Sequence, residues 1–316
     1  MPGGTAERAI EFLLRSQDDD GGWRDWKTHA GISDEWVTAY AGCALAGWPE
    51  RTAHGGALRA FEFLRSRRPY SDGWAYNGGV PPDADSTVWA CRLARALDRG
   101  NEAAPALAFL HGCRRPDGGL ATYACADGLR RAMGFGPEAT FCGWLQSHTC
   151  VTAAAAALPE FGGDSSVLTY LRRQQHADGH WEGYWWPDPE YTTALAVEAL
   201  RARGDPDVLR AIAVAVAWER SRPIPAPPFL LACRFRIVCG HDSARSRELA
   251  RQLHLLQQND GSWPSSSRIR IPPPDIVQPS AIWNWDDNRT DLCSIRMDQA
   301  RVFTTATVLS ALRWAP

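Results

Sequence analysis

Apolar residues recur along the chain at helical spacing in two alternating styles. The first is amphipathic, with apolar side chains at i, i+3 and i+4 and charged residues between them, over 5–17, 55–67, 103–114, 164–175, 206–220 and 243–258. The second is small and apolar nearly all round. It reads DEWVTAYAGCALAG (Asp34–Gly47), DSTVWACRLARAL (Asp85–Leu97) and HTCVTAAAAAL (His148–Leu158), then DPEYTTALAVEAL (Asp188–Leu200), PFLLACRFRIVCG (Pro228–Gly240) and QARVFTTATVLSAL (Gln299–Leu312). A helix without a polar face is a buried helix, and faces rich in Ala, Gly and Thr let neighbours approach closely. Strict alternation of the two styles predicts an inner ring of helices inside an outer ring. The fold class is all-α, a single (α/α)6 barrel occupying 1–316 as one domain.

A repeated phrase punctuates the amphipathic helices. It appears as FLLRSQDDDGGW (Phe12–Trp23), FLRSRRPYSDGW (Phe63–Trp74), FLHGCRRPDGGL (Phe109–Leu120), YLRRQQHADGHW (Tyr170–Trp181) and LHLLQQNDGSW (Leu253–Trp263). Asp-Gly supplies a positive-φ turn that stops the helix, and the aromatic folds back over its end. Trp23, Trp74, Trp181 and Trp263 are therefore structural. Two connections are too long for simple helical hairpins, 121–147 and 264–298. Both join an outer helix to an inner one, so both belong on the same rim, where they would form a lid.

Composition narrows the function. Basic and acidic side chains number 34 and 36, a formal charge of −2, and Lys27 is the single lysine, so nothing argues for a nucleic-acid partner. No apolar run approaches the ~20 residues of a transmembrane segment, and Met1–Arg15 lacks the apolar stretch of a signal peptide. Nine cysteines without CxxC pairing suit reduced thiols in a cytoplasm. Fifteen tryptophans are more than the turn motif uses.

The Gln-Asp-Gly-Trp phrase resembles the QW motif of squalene–hopene and oxidosqualene cyclases, and the helix pairing is similar to that family and to protein prenyltransferase β-subunits. PPDADSTVWA (Pro81–Ala90) resembles the DxDDTA element of protonation-initiated, class II terpene cyclases. The resemblance implies a terpene or meroterpenoid cyclase acting on a small hydrophobic isoprenoid or prenylated substrate, with Asp85 as general acid. Asp83 matches the first aspartate of the element, and Ser86 stands where the family has its last. The Asp85-Ser86-Thr87 run is also similar to the Asp-Cys-Thr of oxidosqualene cyclases. The family cyclases have two barrels, and this chain has one.

Two readings of the aspartates stay open here. Asp83 and Asp85 can share a proton at a helix N-terminus, each raising the other's affinity for it, or either can simply cap the helix, as Asp34 would cap the first inner helix. His148, at the start of the third inner helix, could hydrogen-bond the acid or collect a proton. Trp36, Trp89, Phe141, Trp144, Trp185, Trp186, Trp283, Trp285 and Phe303 would line the rim, since aromatic faces attract cations without trapping them covalently. Arg268 with Arg270, or Arg130 with Arg131, could hold a diphosphate tail. Asp286, Asp287 and Asp291 resemble the magnesium motif of ionisation-dependent synthases but without a visible second motif, and no metal is expected. Such chemistry requires no organic cofactor. Alternatives from other classes are a non-catalytic barrel that binds an isoprenoid or a partner protein, or one half of a two-chain cyclase or prenyltransferase. A homo-oligomer or a partner barrel would fit these.

Overall fold

A computed structural model describes residues 3–67, 72–201, 206–286 and 291–315. The outer helices are Gly3–Arg15, Arg51–Arg67, Ala106–Gly112, Ser165–Arg173, Pro206–Arg220 and Ser243–Leu256. The inner ones are Glu35–Ala46, Ala84–Ala96, Thr149–Ala155, Pro189–Arg201, Pro228–Val238 and Val302–Leu312. Each inner helix packs on the next, and the sixth packs on the first, which closes the ring as an α/α barrel. No helix among the described residues is long and apolar enough to cross a membrane.

The repeated phrase is the mortar between repeats. Each motif tryptophan donates from Nε1 to the carbonyl ten residues earlier: Trp23 to Leu13, Trp74 to Leu64, Trp181 to Leu171 and Trp263 to Leu253, at 2.6–2.9 Å. This satisfies a carbonyl that the ending helix would leave orphaned. The motif glutamine bridges to the following outer helix: Gln17 Nε2 to Gly56 O, Gln175 Nε2 to Ala211 O, and Gln257 Nε2 to Thr5 O, the last tying the end of the ring to its start. Gly21, Gly179 and Gly261 adopt φ of +90°, +111° and +90°, and a Cβ at each would meet a carbonyl of the next outer helix at 2.6, 2.4 and 2.1 Å. Only glycine satisfies both demands.

A second staple sets the register of the inner helices. The hydroxyls of Thr38, Thr87, Thr152, Thr193 and Thr305 accept the backbone N–H groups of Trp23, Trp74, Leu120, Trp181 and Trp263. Thr38, Thr87 and Thr152 lie four residues after the N-cap positions Asp34, Asp83 and His148, and Thr305 four after Arg301. His148 is therefore the counterpart of Asp34 and Asp83, and Asp85 is the counterpart of Trp36. This corrects the alignment of Asp34 with Asp85 that helix composition suggests. Asp34 itself makes no capping bond through its side chain and pairs instead with Arg67 at 3.0 Å.

The all-α expectation needs one amendment. Two short antiparallel strand pairs lie in the connections: Asp25–Thr28 with Gly31–Ser33, and Arg268–Ile271 with Ser294–Met297. They are joined to the last inner helix by a buried carboxyl pair. Asp25 accepts from the backbone N–H of Gln299, Ala300 and Phe303, and Asp298 from Ser266, Ser267 and Thr304. These bonds replace an N-cap that Arg301, with φ of +62°, cannot provide. Burial and the nearby Asp25 push Asp298 up to about 7.

Candidate active site

The Thr register in five inner helices, and the N-cap Pro227 in the remaining one, place one side chain from each at the same level of the barrel, two residues after the N-cap or its equivalent. These are Trp36, Asp85, Cys150, Tyr191, Phe229 and Phe303. Trp36 meets Phe303 at 5.0 Å between ring centroids, Phe303 meets Phe229 at 6.1 Å, and Phe229 meets Tyr191 at 5.8 Å. Asp85 feels Trp36 on one side, acts on Cys150 of the next inner helix on the other, and reaches Tyr191 across the ring. One carboxyl group thus stands in an otherwise aromatic and apolar circle. Phe303, a member of the circle, does not line the cavity that the circle floors; it stacks on Tyr40 at 3.9 Å.

Above this circle opens a cavity with about 710 Å³ of non-atom space, part of it open to solvent. Asp83, Asp85, Trp36, Trp144, Trp185 and Trp186 line it, as the sequence led us to expect. Thr28, His29 and Ala30 of the first strand pair, Tyr76, Ser86, Thr122, Tyr123, Met133, Ile269 and Ile271 complete it. The isoleucines were legible in the alternation RIRI, which sends them to one face of a strand and Arg270 to the other. Arg270 is buried, its guanidinium donating to the carbonyls of Gly183 and Tyr184, so it holds the loop and is not free for a diphosphate.

The two aspartates resolve into different roles. Asp83 is the N-cap of the second inner helix, its carboxylate accepting from Ser86 N and Ser86 Oγ at 2.7 Å each. Ser86, the departure from the class II element, is thus the partner that fixes Asp83. Asp85, in the first helical turn, lines the cavity, and the cavity is what its partial exposure faces. Desolvation first, and the neighbouring Asp83 second, push its carboxyl up to about 7. Indole N–H groups of Trp89 and Trp36 pull the other way, favouring the anion. Neither indole makes a hydrogen bond of ordinary geometry. Their influence on Asp85 is one of proximity, ready to strengthen when the carboxylate forms.

His148 lies outside the cavity wall. It is 1% exposed and stacked on Tyr184 at 3.9 Å. Its Nε2 meets Gly143 O at 2.8 Å, which makes Nε2 the donor, so Nδ1 accepts from the Thr122 hydroxyl at 2.6 Å. Thr122 in turn accepts from Trp185 Nε1 at 2.7 Å. Burial pushes the imidazole down to about 3. The chain from His148 through Thr122 to Trp185 sets the angle of a cavity wall.

Other expected rim residues are displaced. Trp89 lies one turn below Asp85, under the cavity floor. Phe141 is buried behind Trp144, 5.9 Å away. Trp283 is 90% exposed and Trp285 is half-buried, and neither lines the cavity; Ile269 and Ile271 of the same loop take that place. Asp287 lies outside the described residues. The two long loops hold each other: Trp144 Nε1 donates to Pro272 O at 3.1 Å, Gly143 N to Pro274 O at 2.8 Å, and Asp275 accepts from Thr140 N and Phe141 N.

Comparison with known proteins follows the same direction. No family model matches the chain. The type II terpene cyclase MstE from Scytonema is 36% identical, with a TM-score of 0.92 over 99% of this chain and 97% of that one. It has been solved as an Asp-to-Asn variant with geranylgeranyl dihydroxybenzoate as substrate, and also with merosterolic acid A as product. Labda-7,13-dienyl diphosphate synthase of Streptomyces clavuligerus is 29% identical over 184 residues, 55% of this chain and 31% of that enzyme. Human lanosterol synthase is 32% identical over 115 residues, 31% of this chain and 16% of that enzyme. The matched stretch therefore spans less than a third of either curated relative.

Proposed function

The chain belongs to the type II terpene cyclases, and from that premise we propose that it cyclises a small isoprenoid joined to a polar head, a meroterpenoid substrate, by protonating an alkene from Asp85. The observation that carries this reading is the Asp85 carboxyl group, pushed up to about 7 by burial and by Asp83, facing a cavity walled by indole and phenol rings. Desolvation keeps the proton on Asp85 until substrate arrives. Once it leaves for the alkene carbon, the helix N-terminus and the two indole N–H groups stabilise the carboxylate. The carbocation is drawn along the chain as successive alkenes attack it. Faces of Trp36, Trp144, Trp185, Trp186, Tyr76 and Tyr123 line the way, each attracting a cation by roughly 0.5–2 kcal/mol. Loss of a proton from the final cation makes the reaction an isomerisation.

In this reading 121–147 and 264–298 are the lid, locked by the Trp144 and Asp275 bonds described above. His148 is a positioning residue acting through Thr122. The polar head would lie at the mouth, beside His29 and the loop tip that follows Lys27. A cytoplasmic setting, consistent with nine free thiols, and any homo-oligomer or partner barrel are separate proposals, to be read by cell fractionation and light scattering.

Incubation with farnesyl and geranylgeranyl dihydroxybenzoates, beside the corresponding diphosphates, should give products of unchanged mass with fewer alkenes by NMR. Absence of cyclised isomers from every one of these would remove the proposal. The pH dependence follows from the direction of the Asp85 shift. The active form is the acid, so kcat/KM should be level at low pH and decline by about tenfold per unit above about 7. His148, pushed down to about 3, does not titrate there. Asp298 does, but Asp83 acts on Asp85 alone of the two. Asp83→Asn keeps a capping side chain and should move the midpoint to lower pH. A midpoint that stays put in that variant would assign the decline elsewhere.

A further inference from the structure

The opposite end of the barrel holds a second cavity, with about 970 Å³ of non-atom space, part of it open solvent. Tyr40 and Trp89, whose rings meet edge to face at 4.5 Å, lie at its inner end beneath the ring of six. Among the described residues its wall carries four guanidinium groups, of Arg92, Arg201, Arg236 and Arg313, against the single carboxylate of Glu198. Positive charge is concentrated here although the chain as a whole is slightly acidic.

The individual arginines are incompletely satisfied. Arg236 is 4% exposed and grips Glu198 with Nε and Nη2 at 2.6 and 2.7 Å, leaving its enclosed Nη1 with no acceptor. Arg92 sits over the Trp89 ring at 4.1 Å, and its Nη1 is likewise enclosed without an acceptor. Both arginines act on Glu198. Arg201 spends Nη2 on the carbonyls of Arg236, Ile237 and Cys239 and Nε on His241 Nε2 at 3.3 Å. Arg313 stands exposed at the entrance.

Buried guanidinium N–H groups without acceptors are unfavourable, and uncompensated like charges around one space add to this. A polyvalent oxyanion cures both, accepting the free N–H bonds and balancing the charge. Guanidinium forks match phosphate geometry better than any other side chain. We propose that this cavity binds a small oxyanion of the phosphate class between Arg92 and Arg236, with Arg313 at the entrance. It is distinct from the cyclisation cavity, from which Tyr40 and Trp89 separate it.

The test is calorimetric titration of the whole chain with inorganic diphosphate at constant ionic strength. Saturable binding is expected, weakened at least tenfold in Arg92→Gln and severalfold in Arg313→Gln, whose exposed side chain can be changed without endangering the fold. Asp85→Asn should bind diphosphate as tightly as the parent, because the acid belongs to the other cavity. No saturable binding at millimolar diphosphate, equal affinity in both arginine variants, or loss of binding in Asp85→Asn would overturn the proposal. None of these outcomes depends on whether the chain turns over an isoprenoid.

Discussion

Replacing Asp85 by asparagine is expected to leave a folded protein that binds substrate and cyclises it at least about a thousandfold more slowly, the upper range for removing a positioned general acid. Asparagine keeps the shape and can still accept from the nearby indoles, but it has no proton acid enough for an alkene. Stability should move in the opposite direction. A carboxyl group held above its ordinary range penalises the folded state increasingly as pH rises from about 4 towards 7, because the unfolded chain ionises there and the folded one resists. The asparagine variant escapes that penalty. Thermal unfolding of the two proteins should coincide at pH 4, with the variant the more stable at pH 7. Unchanged turnover, measured by product formation under single-turnover conditions, would refute the acid assignment.

Trp263→Ala is expected to have the largest effect on stability. The indole is fully buried, and it holds the end of the last outer helix through Leu253 O. Deleting a side chain of this kind costs about 3–5 kcal/mol, a large share of the roughly 5–15 kcal/mol that holds a domain together. The position matters as well as the volume. Gln257 and Gly261 of the same motif join the sixth outer helix to the first, so the cavity opens at the seam where the ring closes. A lowered denaturation midpoint is expected, together with early hydrogen exchange in Gly3–Arg15. Protection of that helix equal to the parent's would mean that the seam does not depend on the motif.

The ring was legible because it is written twice, once in helix composition and once in the Gln-Asp-Gly-Trp punctuation. Asp85 stood out as the proposed acid because its neighbours resemble a known element. The capping question between Asp83 and Asp85 was not, since both residues suit a helix start; Ser86 Oγ decides it by binding Asp83. Asp85 was misaligned with Asp34 and His148 by two residues because composition gives no register within a small apolar helix. The hidden marker was the threonine in DEWVT, DADST, HTCVT, PEYTT and RVFTT, which fixes the level of each helix by one hydrogen bond. Trp283 and Trp285 misled because tryptophan is read as an inward residue, whereas the strand pair had already filled that wall with Ile269 and Ile271. The strands themselves are too short for periodicity to separate from loop, four residues or fewer each.

The common threonine register has a consequence for how such a protein can be altered. Six side chains sit on one dial, each on its own spoke, and the same threonine bond to the preceding turn sets the level of five of the six. Of the six only Trp36 and Asp85 face the cavity, so moving the carboxyl one spoke over, as in Asp85→Trp with Trp36→Asp, would shift the direction of attack about a guest anchored at the mouth. Regiochemistry in this architecture would then be a matter of bearing, and new ring skeletons could be sought by re-addressing one functional group before any reshaping of the walls.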